Sequence, residues 1–358
     1  MDLSEVYVGR KVIITGDTGF KGSWLALWLQ KLGATVTGIG LDPKTFRDNY
    51  CVCGLGSVIK HHTCDIRHYD KIQKIFNATN PDMVFHLAAQ ALVSESYTSP
   101  RETFEINTQG TANILESIRH TPSVRVGVMV TSDKCYENQE WVHGYRETDP
   151  LGGHDPYSAS KGAAEIVISS YIRSFFSRDG TSVISSARAG NVIGGGDWSE
   201  KRIIPDFMRS LEERKPITLR NPGAVRPWQH VLEPLYGYLL LGATMITKGH
   251  SFSGAWNFGP LYRNSMTVED LIGRFIAQGK KGEIIIPDHR QEFHEAAFLS
   301  LDISKALHNL GWHPVMDIDT MIRFTLDEYM IEGLSEDAVF NQRCAHIDEY
   351  MNLQKRVQ

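Results

Sequence analysis

Tyr157 and Lys161 have the residue types and the spacing of an acid–base pair. They lie at the start of a segment with helical character, where side chains four residues apart share one face. A lysine cation beside a tyrosine stabilises the phenolate and lowers the tyrosine pKa, which would make Tyr157 a base near neutral pH. Taken alone, the spacing is more typical of an exposed helix surface, so the neighbouring motifs decide between the two interpretations.

A hydroxyl, a carboxyl and an amine follow one another at Ser132, Asp133 and Lys134. They come shortly after residues 126–130, a short apolar run that is typical of a buried parallel strand. Groups of these three types can hydrogen-bond a substrate and exchange protons with it. We therefore expect this strand end to face a reaction centre.

The elements that must position these groups begin with a strand at residues 11–15, a glycine-rich turn at residues 16–22 (GDTGFKG) and an apolar-periodic helix at residues 23–32. Glycines in a G-x-x-G-x-x-G turn permit a tight bend and a close approach of the backbone to a ligand. The start of the helix offers free amide groups and a positive dipole end to a pyrophosphate. This arrangement predicts a dinucleotide site.

Later strand ends extend this prediction. The second strand ends at Asp42, at the separation at which an acidic residue binds an adenosine ribose, and an ordinary loop aspartate is the alternative. Asp65 could accept a hydrogen bond from an adenine amino group. After residues 82–87, the small side chains of Ala88 and Ala89 would let the cofactor pass close to the backbone.

Strands alternate with helices along the first half of the chain, which predicts a doubly wound parallel sheet. Asn107 lies in the middle of the helical pattern at residues 101–121, where asparagine is unfavourable unless it packs or functions. From residue 194 onward, loops carry scattered arginines, aromatic residues and amides. These side chains suit a phosphorylated, ring-bearing ligand, and solvated loop charge is the alternative.

Composition argues against several other classes of protein. The chain has 358 residues, of which 42% are hydrophobic, enough for a large core. Its net charge of −5 gives no basic field for nucleic acid or for an anionic membrane. Residues 1–10 do not read as a signal peptide, and the longest apolar stretch, residues 235–246, is too short to span a bilayer, so a cytoplasmic protein is expected.

The five cysteines are odd in number and irregular in spacing, which argues against a disulfide framework. Three cysteines and two histidines do cluster in sequence, at Cys51, Cys53, His61, His62 and Cys64. Structural zinc sites usually pair cysteines with two to four residues between them, and Cys51 and Cys53 are closer than that. No metal site is predicted.

The motifs fall in the order G-x-x-G-x-x-G, D-I-R, H-L-A-A, a mid-helix asparagine, Y-x-x-x-K and R-x-x-N-V. In this order they resemble the extended short-chain dehydrogenases/reductases, over roughly residues 6–330. The resemblance implies a Rossmann-type domain over residues 1–190 that holds NAD. It also implies a smaller nucleotide-sugar lobe over residues 191–335, from which some chain returns to the first domain. Residues 336–358 are expected to form a peripheral, polar C-terminal tail.

Finer matches resemble the CDP-glucose 4,6-dehydratase branch of this family, and they lie at residues 16–24, 88–90, 131–134 and 196–198. The dTDP-glucose 4,6-dehydratases carry Thr-Asp-Glu where this chain has Ser132-Asp133-Lys134, and UDP-galactose epimerases lack the acid–base pair there. The resemblance implies conversion of CDP-glucose to CDP-4-keto-6-deoxyglucose and water, in deoxysugar biosynthesis for surface polysaccharide such as lipopolysaccharide O-antigen. The enzymatic alternative is another NAD-dependent nucleotide-sugar dehydratase or 4-epimerase. The non-enzymatic alternative is a cofactor-sensing regulator.

The same resemblance implies a role for each reactive side chain. Tyr157 would take the proton of the C4 hydroxyl, Ser132 would hydrogen-bond that hydroxyl, and Lys161 would hold the nicotinamide ribose. Asp133 would protonate the departing C6 hydroxyl. Lys134 is the candidate base at C5, and it must be neutral to act, which requires burial or a cationic neighbour.

Two sets of binding residues and an oligomer complete the prediction. The cofactor would contact Gly16, Thr18, Gly19, Phe20, Lys21, Gly22, Asp42, Asp65, Ile66, Leu87, Ala88, Ala89, Asn107, Tyr157 and Lys161. The nucleotide sugar would contact Gln90, Asn191, Trp198, Arg202, Ile203, Arg220, Arg226, Gln229 and Tyr262. In the family, helices corresponding to residues 101–121 and 157–178 pair between subunits, which implies a homodimer or homotetramer. Ile166, Tyr171 and Phe175 would supply apolar surface, and packing of these side chains in the protein's own core is the alternative.

Overall fold

A computed structural model of the chain describes residues 1–178, 180–261, 265–279, 281–287 and 298–357. The strands in chain order are β1 (Lys11–Thr15), β2 (Thr35–Gly40), β3 (Lys60–Thr63), β4 (Met83–His86), β5 (Val126–Val130), β6 (Val183–Ala189), β7 (Val192–Ile193), β8 (Ile217–Thr218), β9 (Val225–Pro227), β10 (Gln229–His230), β11 (Gly254–Phe258), β12 (Ser265–Thr267) and β13 (Ile284–Ile285).

The helices in chain order are α1 (Leu3–Tyr7), α2 (Phe20–Lys31), α3 (Asn49–Val52), α4 (Tyr69–Thr79), α5 (Val93–Thr98), α6 (Pro100–Phe104), α7 (Gly110–Arg119), α8 (Pro156–Phe175), α9 (Ile203–Glu212), α10 (Leu232–Lys248), α11 (Val268–Gly279), α12 (Ile318–Tyr329) and α13 (Glu336–Lys355). None of the described helices is long and apolar enough to cross a membrane.

A seven-stranded sheet in the order β11-β6-β5-β4-β1-β2-β3 forms the centre of the molecule. All of its neighbouring strands are parallel. The strand order runs outward from β1 in both directions, which is the doubly wound arrangement, so the predicted Rossmann-type fold is confirmed. Thr15 of β1 is in register with Ile39 of β2 and His86 of β4, so the carboxyl ends of these strands lie side by side.

Helices cover both faces of this sheet, because each strand alternates its side chains between two apolar clusters. In β1, Val12 and Ile14 belong to the cluster that contains residues of α2 and α10. Ile13 belongs to the opposite cluster, with residues of α4, α7 and α8. Burial on both faces explains why the strands read as continuous apolar runs rather than as an alternating pattern.

The helix that carries Tyr157 begins at a strong local signal. Asp155 caps α8 by accepting a hydrogen bond from the Ser158 amide at 3.0 Å, and Pro156 occupies the first turn, where no amide donor is needed. This cap fixes the position of Tyr157 at the start of the helix. At the end of β5, Ser132 caps a short helical turn, Asp133–Cys135, by accepting from the Lys134 amide at 3.1 Å.

A second core lies outside the main sheet. It joins apolar side chains of α9, α11 and α12, among them Phe207, Phe275 and Ile322. Short strand pairs extend around it, with β7 beside β10, β8 beside β13 and β9 antiparallel to β12. The chain leaves the main sheet after β6 and rejoins it at β11, beside β6. The boundaries predicted at residues 190 and 335 stay a prediction.

The C-terminal helix α13 differs from the expected peripheral tail. It packs against the rest of the molecule, and Arg343 and Tyr350 on it are fully buried. The Arg343 guanidinium donates to Asn49 Oδ1 at 3.2 Å and to the Glu328 carbonyl oxygen. Hydropathy missed this burial because the buried side of α13 includes charged and polar residues, each with its own hydrogen-bond partner.

Candidate active site

The glycine turn lies tightly against the end of β4. Gly16 has φ of 76°, and a Cβ atom there would be 2.7 Å from the Ala88 backbone nitrogen. A Cβ atom on Gly22 would overlap the Gly16 carbonyl group. Gly19 is the N-cap of α2 and has no side chain to cap it, so the first amides of the helix are available to an anion. The turn has the shape that a pyrophosphate site requires.

Polar groups at the ends of β2 and β3 lie next to this turn. Asp42 is exposed, and its Oδ1 accepts from Thr63 Oγ1 at 2.7 Å. Asp17 is fully buried in the space above Gly38, and its Oδ2 lies 2.7 Å from His61 Nδ1. The hydrogen bond to Asp17 raises the pKa of His61. His61, which the cysteine–histidine cluster had brought to attention, is therefore paired with a carboxylate of the glycine turn.

Asp65 and Ile66 are engaged by the protein itself. Arg67 Nη2 donates to Asp65 Oδ2 at 2.6 Å, and the hydrogen bonds from Arg67 lower the pKa of Asp65. The Ile66 side chain is buried, and its carbonyl oxygen accepts from Asn113 Nδ2 at 2.9 Å. A contact of Asp65 with adenine stays a prediction. Of the remaining turn residues, Thr18 donates through Oγ1 to the Leu41 carbonyl oxygen at 2.7 Å.

The segment Leu87, Ala88 and Ala89 is held by a buried chain of hydrogen bonds that starts on β1. Thr15 Oγ1 accepts from the Ala88 amide at 3.2 Å and lies 2.7 Å from His86 Nδ1. His86 Nε2 lies 3.0 Å from Thr111 Oγ1. Burial, with a smaller contribution from the Lys161 charge, lowers the pKa of His86 to about 3, so the imidazole is neutral.

Asn107 joins the loop after β4 to the catalytic helix. It lies in a π-helical turn, Glu105–Gln109. Its Oδ1 accepts from the Gln90 amide at 2.9 Å, and its Nδ2 donates to the Gln90 carbonyl oxygen at 3.0 Å and to Ser160 Oγ at 2.9 Å. The Gln90 side chain is itself engaged, since Nε2 donates to Thr103 Oγ1 at 3.0 Å. Cofactor contact by Asn107 and substrate contact by Gln90 stay predictions.

Ser132 and Asp133 form a hydrogen-bonded pair at the end of β5. Ser132 Oγ donates to Asp133 Oδ1 at 2.8 Å. Asp133 is buried, and burial raises its pKa against the opposing effects of Lys134, Ser132 and Lys21. A carboxyl group whose pKa is raised holds its proton more readily, which suits a general acid. Lys134 is half-buried beside it.

Tyr157 and Lys161 are both buried at the start of α8. Burial raises the pKa of Tyr157 to about 12, with hydrogen bonding between its hydroxyl and Ser132 and the charge of Arg202 acting in the opposite direction. Burial lowers the pKa of Lys161 to about 8, with Glu165 acting against it. The expected lowering of the Tyr157 pKa is not found, because desolvation of the phenolate outweighs the nearby positive charge.

Lys21 of the glycine turn also interacts electrostatically with other charged side chains, which the glycine motif did not predict. Burial and the charges of Arg202 and Lys161 lower its pKa to about 8, while Asp133 acts in the opposite direction. The charge of this predicted cofactor residue therefore acts together with that of the Asp133 carboxyl group. The sequence does contain a signal for this interaction. The glycine pattern requires only small residues in the turn, so a lysine there is unusual. Phe20 precedes it at the first position of α2.

The predicted substrate residues separate into two groups. Arg202 Nη1 pairs with Asp197 Oδ2 at 2.9 Å, and its charge acts on Tyr157, which places it near the reacting groups. Ile203 follows it at the first position of α9. The Trp198 ring lies under the Arg47 guanidinium, whose Cζ is 3.3 Å from the ring centroid.

The second group has its own partners elsewhere. Arg220 is exposed and pairs with Asp206 at 3.2 Å, and Arg226 donates to the Val225 carbonyl oxygen at 2.9 Å. Gln229 is buried and donates to the Phe258 carbonyl oxygen at 3.2 Å. Asn191 is half-buried in the loop after β6. Tyr262 lies outside the described residues. Their contact with a nucleotide sugar stays a prediction.

A parallel sheet with this glycine turn, an acidic residue after β2 and a buried Tyr157–Lys161 pair is typical of a dinucleotide-dependent enzyme of the extended short-chain dehydrogenase/reductase class. The family described as GDP-mannose 4,6 dehydratase matches residues 13–325. The chain belongs to this family of NAD-dependent nucleotide-sugar dehydratases.

Among curated relatives, the chain is 45% identical over 311 residues to a CDP-glucose 4,6-dehydratase of Salmonella typhimurium, and the match covers 86% of each chain. It is 25% identical over 343 residues to a probable dTDP-glucose 4,6-dehydratase of Sinorhizobium fredii, covering 90% of this chain and 93% of the relative. The predicted resemblance to the dehydratase branch is confirmed by the first of these matches.

Solved structures agree on the fold. An epimerase from Methanothermobacter thermautotrophicus superimposes with a TM-score of 0.79 at 22% identity, covering 98% of this chain and 97% of the other. The UDP-glucose 4-epimerase of Thermus thermophilus, solved in complex with NAD, gives a TM-score of 0.74 at 26% identity, covering 88% of this chain and 98% of the other.

Proposed function

We propose that the protein is an NAD-dependent CDP-glucose 4,6-dehydratase, which converts CDP-glucose to CDP-4-keto-6-deoxyglucose and water. The observation that carries the proposal is the buried Asp133, hydrogen-bonded to Ser132 at 2.8 Å and followed by Lys134, in the electrostatic environment of Tyr157. This cluster supplies both an acid and an amine beside the predicted C4 base, and elimination of water needs that combination. The product is of the class used in deoxysugar biosynthesis for surface polysaccharide.

The residues present fit NAD. The close approach of Gly16 to Ala88 and the open start of α2 suit the pyrophosphate, Asp42 suits a ribose diol, and Lys161 suits the nicotinamide ribose. NAD, when bound, would supply a hydride acceptor for C4 and a hydride donor for C6. The exposed carboxylate of Asp42 would repel a 2′-phosphate, so NAD rather than NADP is proposed.

In the first half of the reaction, Tyr157 takes the proton of the C4 hydroxyl as the C4 hydride leaves, and C4 becomes a ketone. Ser132 hydrogen-bonds the C4 oxygen and orients it. Because burial holds the pKa of Tyr157 at about 12, its phenolate requires the nearby positive charge of Arg202, to which Lys161 would add in the proposed mechanism.

In the second half, the 4-keto group acidifies the C5 hydrogen. Lys134 removes this proton, Asp133 donates a proton to the C6 hydroxyl, and water leaves as the C5–C6 double bond forms. NAD, when bound, would supply the hydride for C6, and the protonated Lys134 would return its proton to C5. The raised pKa of Asp133 supports its role as the acid in this step.

Incubation with the glucose derivatives of CDP, dTDP, UDP and GDP tests the proposal, with the products identified by mass spectrometry and NMR. A 4-keto-6-deoxy sugar that has lost one water is expected from the CDP derivative at the highest kcat/KM. An epimerised sugar that has lost no water would show that the protein is an epimerase and not a dehydratase. Binding of the cofactor without turnover of any of the four nucleotide sugars would support the alternative that the protein is a cofactor-sensing regulator.

We also propose a homodimer or homotetramer in which α8 contacts a second copy of the chain. Ile166 and Phe175 on this helix are 58% and 46% exposed, and Phe104 on α6 is 39% exposed. These side chains face away from the protein's own core and would lose water on association. Sedimentation of the Ile166→Glu variant beside the wild type is the measurement. A wild type that remains monomeric at micromolar concentration would remove the proposal.

A further inference from the structure

Glu165 is a buried carboxylate on α8, one helical turn beyond Lys161. Its Oε1 accepts a hydrogen bond from Thr131 Oγ1, at the end of β5. Its Oε2 accepts from Ser186 Oγ on β6 at 2.8 Å and from Arg188 Nη2 at 2.7 Å. The carboxylate therefore ties the catalytic helix to the ends of the two strands beneath it.

Arg188 on β6 is the ion-pair partner of Glu165. It is buried, and its Nη1 donates to Tyr136 Oη at 2.6 Å and to the Glu147 carbonyl oxygen at 3.1 Å. Both members of this buried ion pair make further hydrogen bonds, so the pair is held in one geometry. Removal of either member would leave the other as an uncompensated buried charge. The pair thus fixes Glu165 at a defined position relative to Lys161.

The titratable and charged groups that act with or on Lys161 come from several elements. They are Glu165 on α8, Cys135 after β5, His86 on β4 and Lys21 on α2, and Arg188 on β6 is paired with Glu165. Burial lowers the pKa of Lys161 to about 8, and Glu165 is the first of the groups that act against this effect. Lys21 brings a positive charge, which repels the lysine cation.

We propose that Glu165 is a positioning residue for the catalytic helix: it keeps Lys161 in its charged form for the cofactor ribose and holds α8 against the strand end that carries Ser132. The inference rests on the NAD-binding role proposed above for Lys161, but not on the identity of the nucleotide sugar. Its signature is a dependence of NAD affinity on pH that shifts when the Glu165 charge is removed.

The measurement is the dissociation constant of NAD for the cofactor-free protein, from tryptophan fluorescence, between neutral and alkaline pH. In the wild type, affinity falls as the pH passes through about 8, where Lys161 and Lys21 lose their protons, and only the contribution of Lys161 should respond to Glu165. In Glu165→Gln, the midpoint of this fall is expected at a pH lower by about one unit, the lower end of the effect of a neighbouring opposite charge. Glu116→Gln, which removes a half-buried carboxylate paired with Arg119 on α7, is the matched control and should leave the midpoint in place.

An affinity that is reduced equally at every pH, with an unchanged midpoint, would show that Glu165 is merely structural and would overturn the proposal. A wild type whose affinity does not fall near the Lys161 pKa would overturn it as well. If Glu165→Gln does not fold, Glu165→Asp withdraws the charge by one methylene, and a smaller shift in the same direction is expected, whereas no shift sinks the proposal. Because the measurement uses NAD alone, failure to dehydrate CDP-glucose would appear only in the product assay.

Discussion

Gly190 lies against the carboxyl group of Asp133, because a Cβ atom at residue 190 would be 2.9 Å from Asp133 Oδ2 and 3.6 Å from its Cγ. The Asp133 carboxyl group is buried, and Ser132 Oγ holds its Oδ1 at 2.8 Å. A side chain at residue 190 would therefore have to displace a group that is already held from the other side. The lack of a side chain there sets the position of the proposed acid.

Gly190→Ala is expected to slow the elimination of water by about 100-fold, since a displacement of about 1 Å in a reacting group costs on that order. Oxidation at C4 depends on Tyr157 and should persist, so reduced nicotinamide should accumulate on addition of CDP-glucose. Gly223→Ala is the matched control, because a Cβ atom there meets nothing within 4 Å. Dehydration by Gly190→Ala at the rate of the control would contradict the inference.

Tyr157→Phe removes the proposed base at C4. We expect formation of reduced nicotinamide to fall by about 10²- to 10⁴-fold, the usual contribution of a general base, while the affinity for CDP-glucose is retained. Stopped-flow absorbance and equilibrium binding measure the two quantities. Tyr171→Phe, on the same helix with its hydroxyl directed to Glu116, should behave as the wild type. Near-normal turnover by Tyr157→Phe would rule out the assignment of Tyr157 as the base.

Lys134→Ala distinguishes two roles for the residue that separates this chain from the dTDP-type dehydratases. If Lys134 is the base at C5, the variant oxidises C4 and then stalls, and solvent deuterium does not enter at C5. If Lys134 only orients Asp133, deuterium still enters at C5 and the loss of water alone slows. Reduced-nicotinamide absorbance and NMR of the recovered sugar report the two steps.

The matched control for this variant is Lys74→Ala, since Lys74 is an exposed lysine on α4. It should leave both steps unchanged. Normal dehydration by Lys134→Ala would refute both roles. In that case Lys21 becomes the amine to test, because its pKa is lowered to about 8 and its charge acts on Asp133.

Asp42→Asn is expected to reduce the preference for NAD over NADP. A unit charge about 4 Å from another costs about 1 kcal/mol in water and about 4 kcal/mol at a typical protein surface, and each 1.4 kcal/mol is about a tenfold change in affinity. Asparagine can still accept the hydrogen bond from Thr63 through its Oδ1. The ratio of the two dissociation constants is the measurement, with Asp70→Asn on α4 as the control. An equal ratio in the wild type and in Asp42→Asn would show that Asp42 does not face the ribose.

Glu233 on α10 should make stability depend on pH. Its Oε1 accepts from the amides of Val315 and Met316 at 2.8 and 2.7 Å, and its Oε2 accepts from Tyr350 Oη at 2.9 Å. Burial raises its pKa from 4.5 to about 7. The protonated form therefore stabilises the fold fully below the unfolded value, and this contribution is lost as the pH rises through the folded value.

Glu233→Gln stays neutral at every pH, so its free energy of unfolding should rise relative to the wild type between pH 4.5 and about 7. The expected gain is about 1.4 kcal/mol for each unit by which the two pKa values differ. Urea unfolding at several pH values measures it, with the exposed Glu332→Gln as control. A difference between variant and wild type that is constant over this range would contradict the prediction.

The residues that could be predicted are those whose local sequence determines their environment. The glycine turn follows a buried strand directly, and Asp155 and Pro156 begin the helix that carries Tyr157, so local sequence alone placed the turn after β1 and Tyr157 at the start of α8. Asp133 was predicted in the same way. Its burial, which raises its pKa, depends on the surrounding fold and was not predictable from the motif.

The features that could not be predicted from the sequence depend on burial and on contacts between segments that are distant in the chain. Glu165 follows Lys161 by four residues and so shares its face, but only the fold brings Arg188 to it. The buried side of α13 is hidden for the same reason, since Arg343 reads as a surface residue until Asn49 and the Glu328 carbonyl oxygen are found beside it. The pKa of Tyr157 was wrongly expected to be low, because the desolvation of a buried phenolate is not visible in a four-residue spacing.

The position of β11 beside β6 has a consequence for dissection of the chain. A fragment that stops at residue 190 would contain the glycine turn and the Tyr157 helix, yet one side of β6 would present unpaired amide and carbonyl groups. All seven residues of this strand are buried in the intact molecule, so the fragment would expose a long edge that the intact fold covers. Such edges recruit strands from other molecules and promote aggregation. The main sheet is therefore formed by discontinuous parts of the chain, and a fragment designed to keep it intact would have to include residues 254–258.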